Sequence, residues 1–199
     1  PLREVLKRFP ELGGRVIDTA PSYGTAETVV GDLLSELGNR DRYFIATKVS
    51  VRGGRGAVGA PAQQGMESAV AQMNESMRKL RTERVDLMQV HNLSSVDQLV
   101  PLLLEWKATK RIRYAGVTTS SEQQYGNLER VMGAYPLDFI QIDYAMDNRE
   151  AAQRILPLAA ERKMAVLINL PFGRNRLFQK VAGKPLPPFA AEFDCTSWA

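Results

Sequence analysis

Four ionisable side chains fall at or just beyond the ends of apolar runs: Asp18, Tyr23, Lys48 and His91. A free phenol titrates near ~10 and is a poor acid at neutral pH. A neighbouring ammonium favours the phenolate that remains once the proton has left. Lys48 can be that ammonium, and Asp18 the carboxylate that keeps it charged, because an unpaired buried cation is costly. His91 is the only histidine. It can present a ring N–H to a carbonyl oxygen and orient it. The set is suited to handing a proton to a carbonyl oxygen as that oxygen becomes an alkoxide. Taken singly, each residue has a plainer reading: a turn cap, a surface phenol, a strand-end lysine, a core histidine. Their joint occurrence favours the chemical one.

The elements that must position them alternate. A helix is predicted over Leu2–Leu12, closed by Gly13-Gly14, followed by a strand over Arg15–Ala20 and the turn Pro21–Gly24 that carries Tyr23. A helix over Ala26–Leu37 stops at Gly38, and the strand Tyr43–Val49 leads to Lys48. The helix Met66–Leu80 precedes the strand Val85–His91. Ser95 and Gln98 read as a capping box for a helix to Thr109. Then come strand Tyr114–Thr118, helix Ser121–Met132, strand Asp138–Tyr144, helix Arg149–Arg162 and strand Ala165–Leu170, with a loop-like remainder.

Six strands joined by helices imply an α/β parallel sheet with helices outside. An open doubly wound sheet and a closed (β/α)8 TIM barrel both fit. No glycine fingerprint follows the first strand. Polar residues recur on one strand parity (Asp18, Lys48, Gln89, His91, Thr118, Gln141, Asn169), and several strands contribute them, as a barrel mouth requires. These features favour the barrel. A complete one runs to ~250 residues, so the expectation is a single domain over 1–199 holding about six of the eight strands.

With 44% hydrophobic and 24% charged residues, the composition is that of an ordinary globular protein large enough for one core. A net charge of +4 implies no polyanion partner, and no apolar stretch is long enough to span a bilayer. One cysteine, Cys195, excludes an internal disulfide framework. A single histidine argues against metal hydrolysis and leaves Cys195 without a base. Lys107, Lys110, Arg111 and Arg113 read as a solvated face rather than a nucleic-acid footprint. Gly54–Gly59 matches a G-x-G-x-x-G string, but not in the strand–helix context a dinucleotide fold needs.

The run Gly14–Ala20 through Tyr23-Gly24, Glu27 and Gly31 resembles the signature of the aldo-keto reductases. The segments Ile45–Lys48 and Met88–Asn92 resemble that family's two other catalytic segments, and the likeness covers essentially the whole chain. It implies a (β/α)8 barrel that reduces aldehydes or ketones with NADPH and without metal, in a cytoplasmic setting. By that resemblance Tyr23 is the general acid, Asp18 and Lys48 tune it, and His91 positions a small carbonyl substrate. For NADP, Gln141 corresponds to the family's carboxamide-binding glutamine, and Leu170-Pro171-Phe172-Gly173-Arg174 resembles the segment against the pyrophosphate. Three positions depart from the family: Thr118 and Thr119 stand where Ser-Asn is usual, and Asn169 stands where many members stack an aromatic on the nicotinamide. The non-enzymatic alternative is a barrel that binds nicotinamide nucleotide as a regulatory or redox-sensing subunit.

Overall fold

The computed structural model describes residues 1–51 and 62–198. The Gly54–Gly59 string lies outside the described residues. Six strands form one parallel sheet in sequential order: β1 (Val16–Asp18), β2 (Phe44–Val49), β3 (Val85–Val90), β4 (Ile112–Thr119), β5 (Phe139–Asp143) and β6 (Ala165–Asn169). Helix α1 (Leu2–Arg8) precedes β1, and the helices between the strands are α2 (Ala26–Leu37), α3 (Ala62–Lys79), α4 (Val96–Ala108), α5 (Tyr125–Ala134) and α6 (Ile155–Glu161). A short α7 (Arg176–Val181) follows β6, where the sequence suggested only loop. A parallel sheet in strictly sequential order curls one way, so the arrangement is part of a (β/α)8 barrel.

Alternation along each strand sends one parity outward and the other into the curl. Outward-facing Ile45, Met88, Val90, Val117, Ile140 and Ile142 are fully covered by Leu34, Met73, Leu99, Leu103, Leu128 and Met132 of the helices. Inward, Phe44, Tyr114 and Phe139 pack ring against ring, with centroids 5.4–6.0 Å apart, near the strand starts. The polar inward positions then lie at the opposite end, where strands hand over to loops.

Two local details hold this frame. Gly38 closes α2 at φ 61°, and its N–H donates to the Leu34 and Ser35 carbonyls. Gly31 lets α2 and α3 touch: a Cβ there would sit 2.0 Å from the Lys79 carbonyl oxygen. The strand starts carry their own clamps. Asp86 accepts from the Ile45 N–H at 3.0 Å and pairs with Arg40 (2.8 Å) and Arg113 (2.9 Å). Asp138 likewise accepts from the Ala115 N–H and from Lys107. Burial opposes the charge on Asp86, but the backbone donor and the two guanidinium groups outweigh it and hold the carboxyl below its usual range. Lys107 and Arg113 of the basic cluster are thus engaged in structural ion pairs.

The capping box at Ser95 does not form. Ser95 adopts φ 52°, ψ 41°, and its hydroxyl caps nothing; its carbonyl instead accepts from the Gln98 and Leu99 N–H groups. The left-handed backbone carries the side chain away from the first-turn amides. Two further helices begin later than the apolar pattern suggests, because Glu122–Gln124 and Glu150–Ala152 are single 3₁₀ turns.

Candidate active site

Asp18 ends β1 beside Ala46, two residues short of Lys48 on β2. Both face into the curl, so the lysine reaches sideways to the carboxylate. Lys48 Nζ lies 2.8 Å from each Asp18 oxygen and 3.0 Å from the Thr19 carbonyl, which satisfies all three of its donors. The lysine is 2% exposed, whereas the Asp18 side chain keeps 30% of its surface open to the cleft. That asymmetry matters: the cation is withdrawn from water and the anion remains partly hydrated.

The turn after β1 brings the phenol back over this pair. Tyr23 N–H donates to the Ala20 carbonyl at 3.0 Å, and Gly24 follows at φ 63°. Tyr23 stays 47% exposed. Its ring lies 5.0 Å from Lys48 Nζ and meets the His91 ring edge-on, with centroids 6.2 Å apart at 81°. His91 sits in the single turn that follows β3. Burial holds its imidazole below the ordinary histidine range; Lys48 pushes the same way, and Asp18 pulls partly back. Burial and Lys48 both disfavour the imidazolium, and a neutral ring has one nitrogen that donates and one that accepts.

These four side chains share one cleft of ≈ 170 Å³ with Asn92, Thr118, Ser120, Gln141, Asn169, Leu170 and Arg174. Three of the twelve residues singled out from sequence fall elsewhere. Thr119 has the opposite strand parity to Thr118, and its hydroxyl bonds Gln124 and accepts from the Ser121 N–H. Phe172 is 56% exposed and packs on Phe178. Gly173 lines a neighbouring recess with Asp143 and Arg176. Asn92 and Ser120 are cleft residues that sequence reasoning missed. The signal for Asn92 was local: asparagine tolerates the left-handed backbone it adopts there (φ 53°) better than most residues.

The floor is built from amides. Gln89 and Gln141 are buried neighbours, with Gln89 Nε2 donating to Gln141 Oε1 at 3.3 Å. The Gln141 oxygen keeps a second lone pair, and Gln89 Oε1 is buried without a donor among the described residues. Asn169 Nδ2 donates to the Thr119 carbonyl at 3.3 Å, while Asn169 Oδ1 is buried without a donor among the described residues. No group of three or more His, Cys, Asp or Glu side chains that could hold a metal ion occurs among the described residues. None of the described helices is long and apolar enough to cross a membrane.

The arrangement can release a phenolic proton beside a buried cation, toward an oxygen held against a neutral imidazole. The model of the aldo/keto reductase family matches residues 2–190. The chain belongs to the aldo/keto reductase family. It is 29% identical over 170 residues to aldo-keto reductase YhdN of Bacillus subtilis, covering 83% of this chain and 50% of the relative. It is 27% identical over 178 residues to an NADP(+) aryl-alcohol dehydrogenase of Phanerodontia chrysosporium, covering 82% and 46%. A solved aldo-keto reductase from Klebsiella pneumoniae, in complex with NADPH, superposes with a TM-score of 0.72 at 22% identity, covering 92% of this chain and 62% of that one. The chain spans about half the length of the curated relatives it matches.

Proposed function

We propose that the protein is an oxidoreductase that reduces an aldehyde or ketone to an alcohol with NADPH as reductant. The observation that carries this reading is the Lys48 ammonium, bound by both Asp18 oxygens and the Thr19 carbonyl beneath the Tyr23 ring. An ordinary structural ion pair needs no phenol held above it. Membership of the family and the NADP(+) in one relative's name support the choice of chemistry and cofactor.

The residues present fit a nicotinamide nucleotide. Gln141 and Asn169 bring amide side chains to the cleft wall. Thr118 adds a hydroxyl, and Leu170 and Arg174 close the same cleft. When bound, the cofactor supplies hydride. Tyr23 donates the proton to the carbonyl oxygen, and Lys48 stabilises the phenolate left behind. Asp18 holds the Lys48 ammonium in place through both carboxylate oxygens. Neutral His91 directs a ring N–H at the same oxygen and fixes which face of the carbonyl is presented.

Replacing the phenol tests the assignment. Tyr23→Phe is expected to lower turnover by ~10²–10⁴-fold while NADPH affinity stays close to that of the unsubstituted protein. Unchanged turnover would refute the proton-donor role. NADPH binding without consumption by any aldehyde or ketone in the unsubstituted protein would favour the regulatory reading instead.

A further inference from the structure

The phenol assigned to proton donation is carried on a segment with few ties of its own. Ala20 is fully buried, but no side chain from Pro21 to Ala26 is, and Thr25, at the start of α2, forms no side-chain cap. The backbone bonds of the turn are local: Tyr23 N–H donates to the Ala20 carbonyl and Ala26 N–H to the Tyr23 carbonyl. Pro21 and Ser22 border a recess of ≈ 230 Å³ shared with Glu27, Lys48 and His91, so close packing does not fix the turn on that side. The first buried side chain beyond Tyr23 is Glu27, in the first turn of α2, at 2% exposed. An acidic side chain is rarely buried this far without a partner. Its partner is Thr47, whose hydroxyl donates to Glu27 Oε1 at 2.7 Å. Thr47 is itself fully buried and adjoins Lys48 on β2. Alternation along the strand puts Thr47 on the face toward the helices and Lys48 on the face toward the cleft.

We propose that Glu27 and Thr47 are positioning residues for the proton transfer: their hydrogen bond sets where Tyr23 stands over Lys48. Glu27 follows Tyr23 by four positions, and Thr47 immediately precedes Lys48. A bond of fixed length behind the sheet therefore locates the phenol relative to the ammonium in front of it. An apolar pair could fill the same space, but its attraction is non-directional and would leave α2 free to slide along β2. A hydrogen bond prescribes both length and angle. The inference deepens the proton-donor reading above and rests on it.

The test removes the bond without stranding a buried polar group. Replacing both partners by apolar residues, Glu27→Leu together with Thr47→Val, costs little stability, so turnover is read on a folded protein. The double variant should lose ~10- to 100-fold in kcat through misplacement of the phenol. Its NADPH affinity and its KM for the carbonyl substrate should stay within ~2-fold, because the lost interaction serves only the transition state. Thr47→Ser, which keeps the hydroxyl, and Glu27→Gln, which keeps an acceptor oxygen, should each recover most of the lost turnover. In a Tyr23→Phe background the double substitution should cost less than ~2-fold more, since both changes act on one step. Unchanged kcat in the folded double variant overturns the inference. An equal loss in the Tyr23→Phe background overturns it too, by placing the effect outside the phenol. A loss in Thr47→Ser as large as in the double variant does the same, by assigning the effect to the threonine methyl. If the double variant does not fold, Thr47→Val takes its place against Thr47→Ser, with the same expected split. Full turnover by Tyr23→Phe itself overturns the proton-donor reading, and this inference with it.

Discussion

Removing the Lys48 ammonium while keeping its apolar stem, as in Lys48→Met, separates the electrostatic part of the proposed mechanism from the rest. The charge lies 5.0 Å from the centre of the Tyr23 ring. At an effective dielectric of about 20, a unit charge that far from a developing phenolate contributes ~3 kcal/mol. Tyr23 is half open to water, which screens the interaction, and roughly half that value is a fairer expectation. Loss of ~1.5–3 kcal/mol corresponds to a ~10- to 100-fold drop in kcat. Stability should suffer less than for a fully buried pair, because Asp18 keeps access to solvent when its partner goes. A cost of ~1–3 kcal/mol is expected. Three measurements on one variant are needed: kcat from nicotinamide absorbance with an aldehyde substrate, NADPH affinity by fluorescence, and the urea midpoint. A lowered urea midpoint with kcat within ~3-fold of the unsubstituted protein would show that Lys48 only braces β1 against β2, and would refute the argument.

Acid should act through His91. Its folded titration lies below the ordinary value, chiefly through burial. As pH falls through ~6.5, the unfolded chain takes up a proton that the folded ring resists, so stability declines; the decline levels off once pH is below the folded value. His91→Gln should show a flatter fall over that window in urea melts, and parallel curves for the two proteins would contradict the linkage. Packing between α2 and α3 gives a contrast of two alanines. Gly31→Ala must displace the Lys79 carbonyl and should cost ~1–3 kcal/mol or more, read as a lower Tm. Gly126→Ala, with nothing within 4 Å of the added carbon, should leave Tm level or raise it slightly.

What could be read from the chain alone was whatever short-range order dictates. The alternation of apolar runs and amphipathic stretches marks all six strands and their order, because burying one face of a sheet against helices leaves a period of two in the strands and of 3.6 in the helices. The same parity assigns Asp18, Lys48, Gln89, His91, Thr118, Gln141 and Asn169 to one face; six of the seven line one cleft, and Gln89 is buried against Gln141 instead. Local chemistry also predicts the Gly38 stop and the turn at Tyr23, both of which form.

Contacts between distant segments were not legible in this way. Nothing near Ser95 in sequence announces the left-handed backbone that defeats its capping box. Strand parity separates Thr119 from Thr118, but only the neighbouring turn reveals that Gln124 takes the Thr119 hydroxyl. The orientation of the Asn169 amide is set by a carbonyl fifty residues earlier in the chain. The Gln89–Gln141 pair likewise joins strands that the sequence keeps fifty-two residues apart. Side-chain types and spacing determine which faces are buried and which groups meet at a strand end, since those depend on period and burial. Which donor finds which acceptor depends on the curl that brings separate strands together, and that was decided only by the tertiary structure.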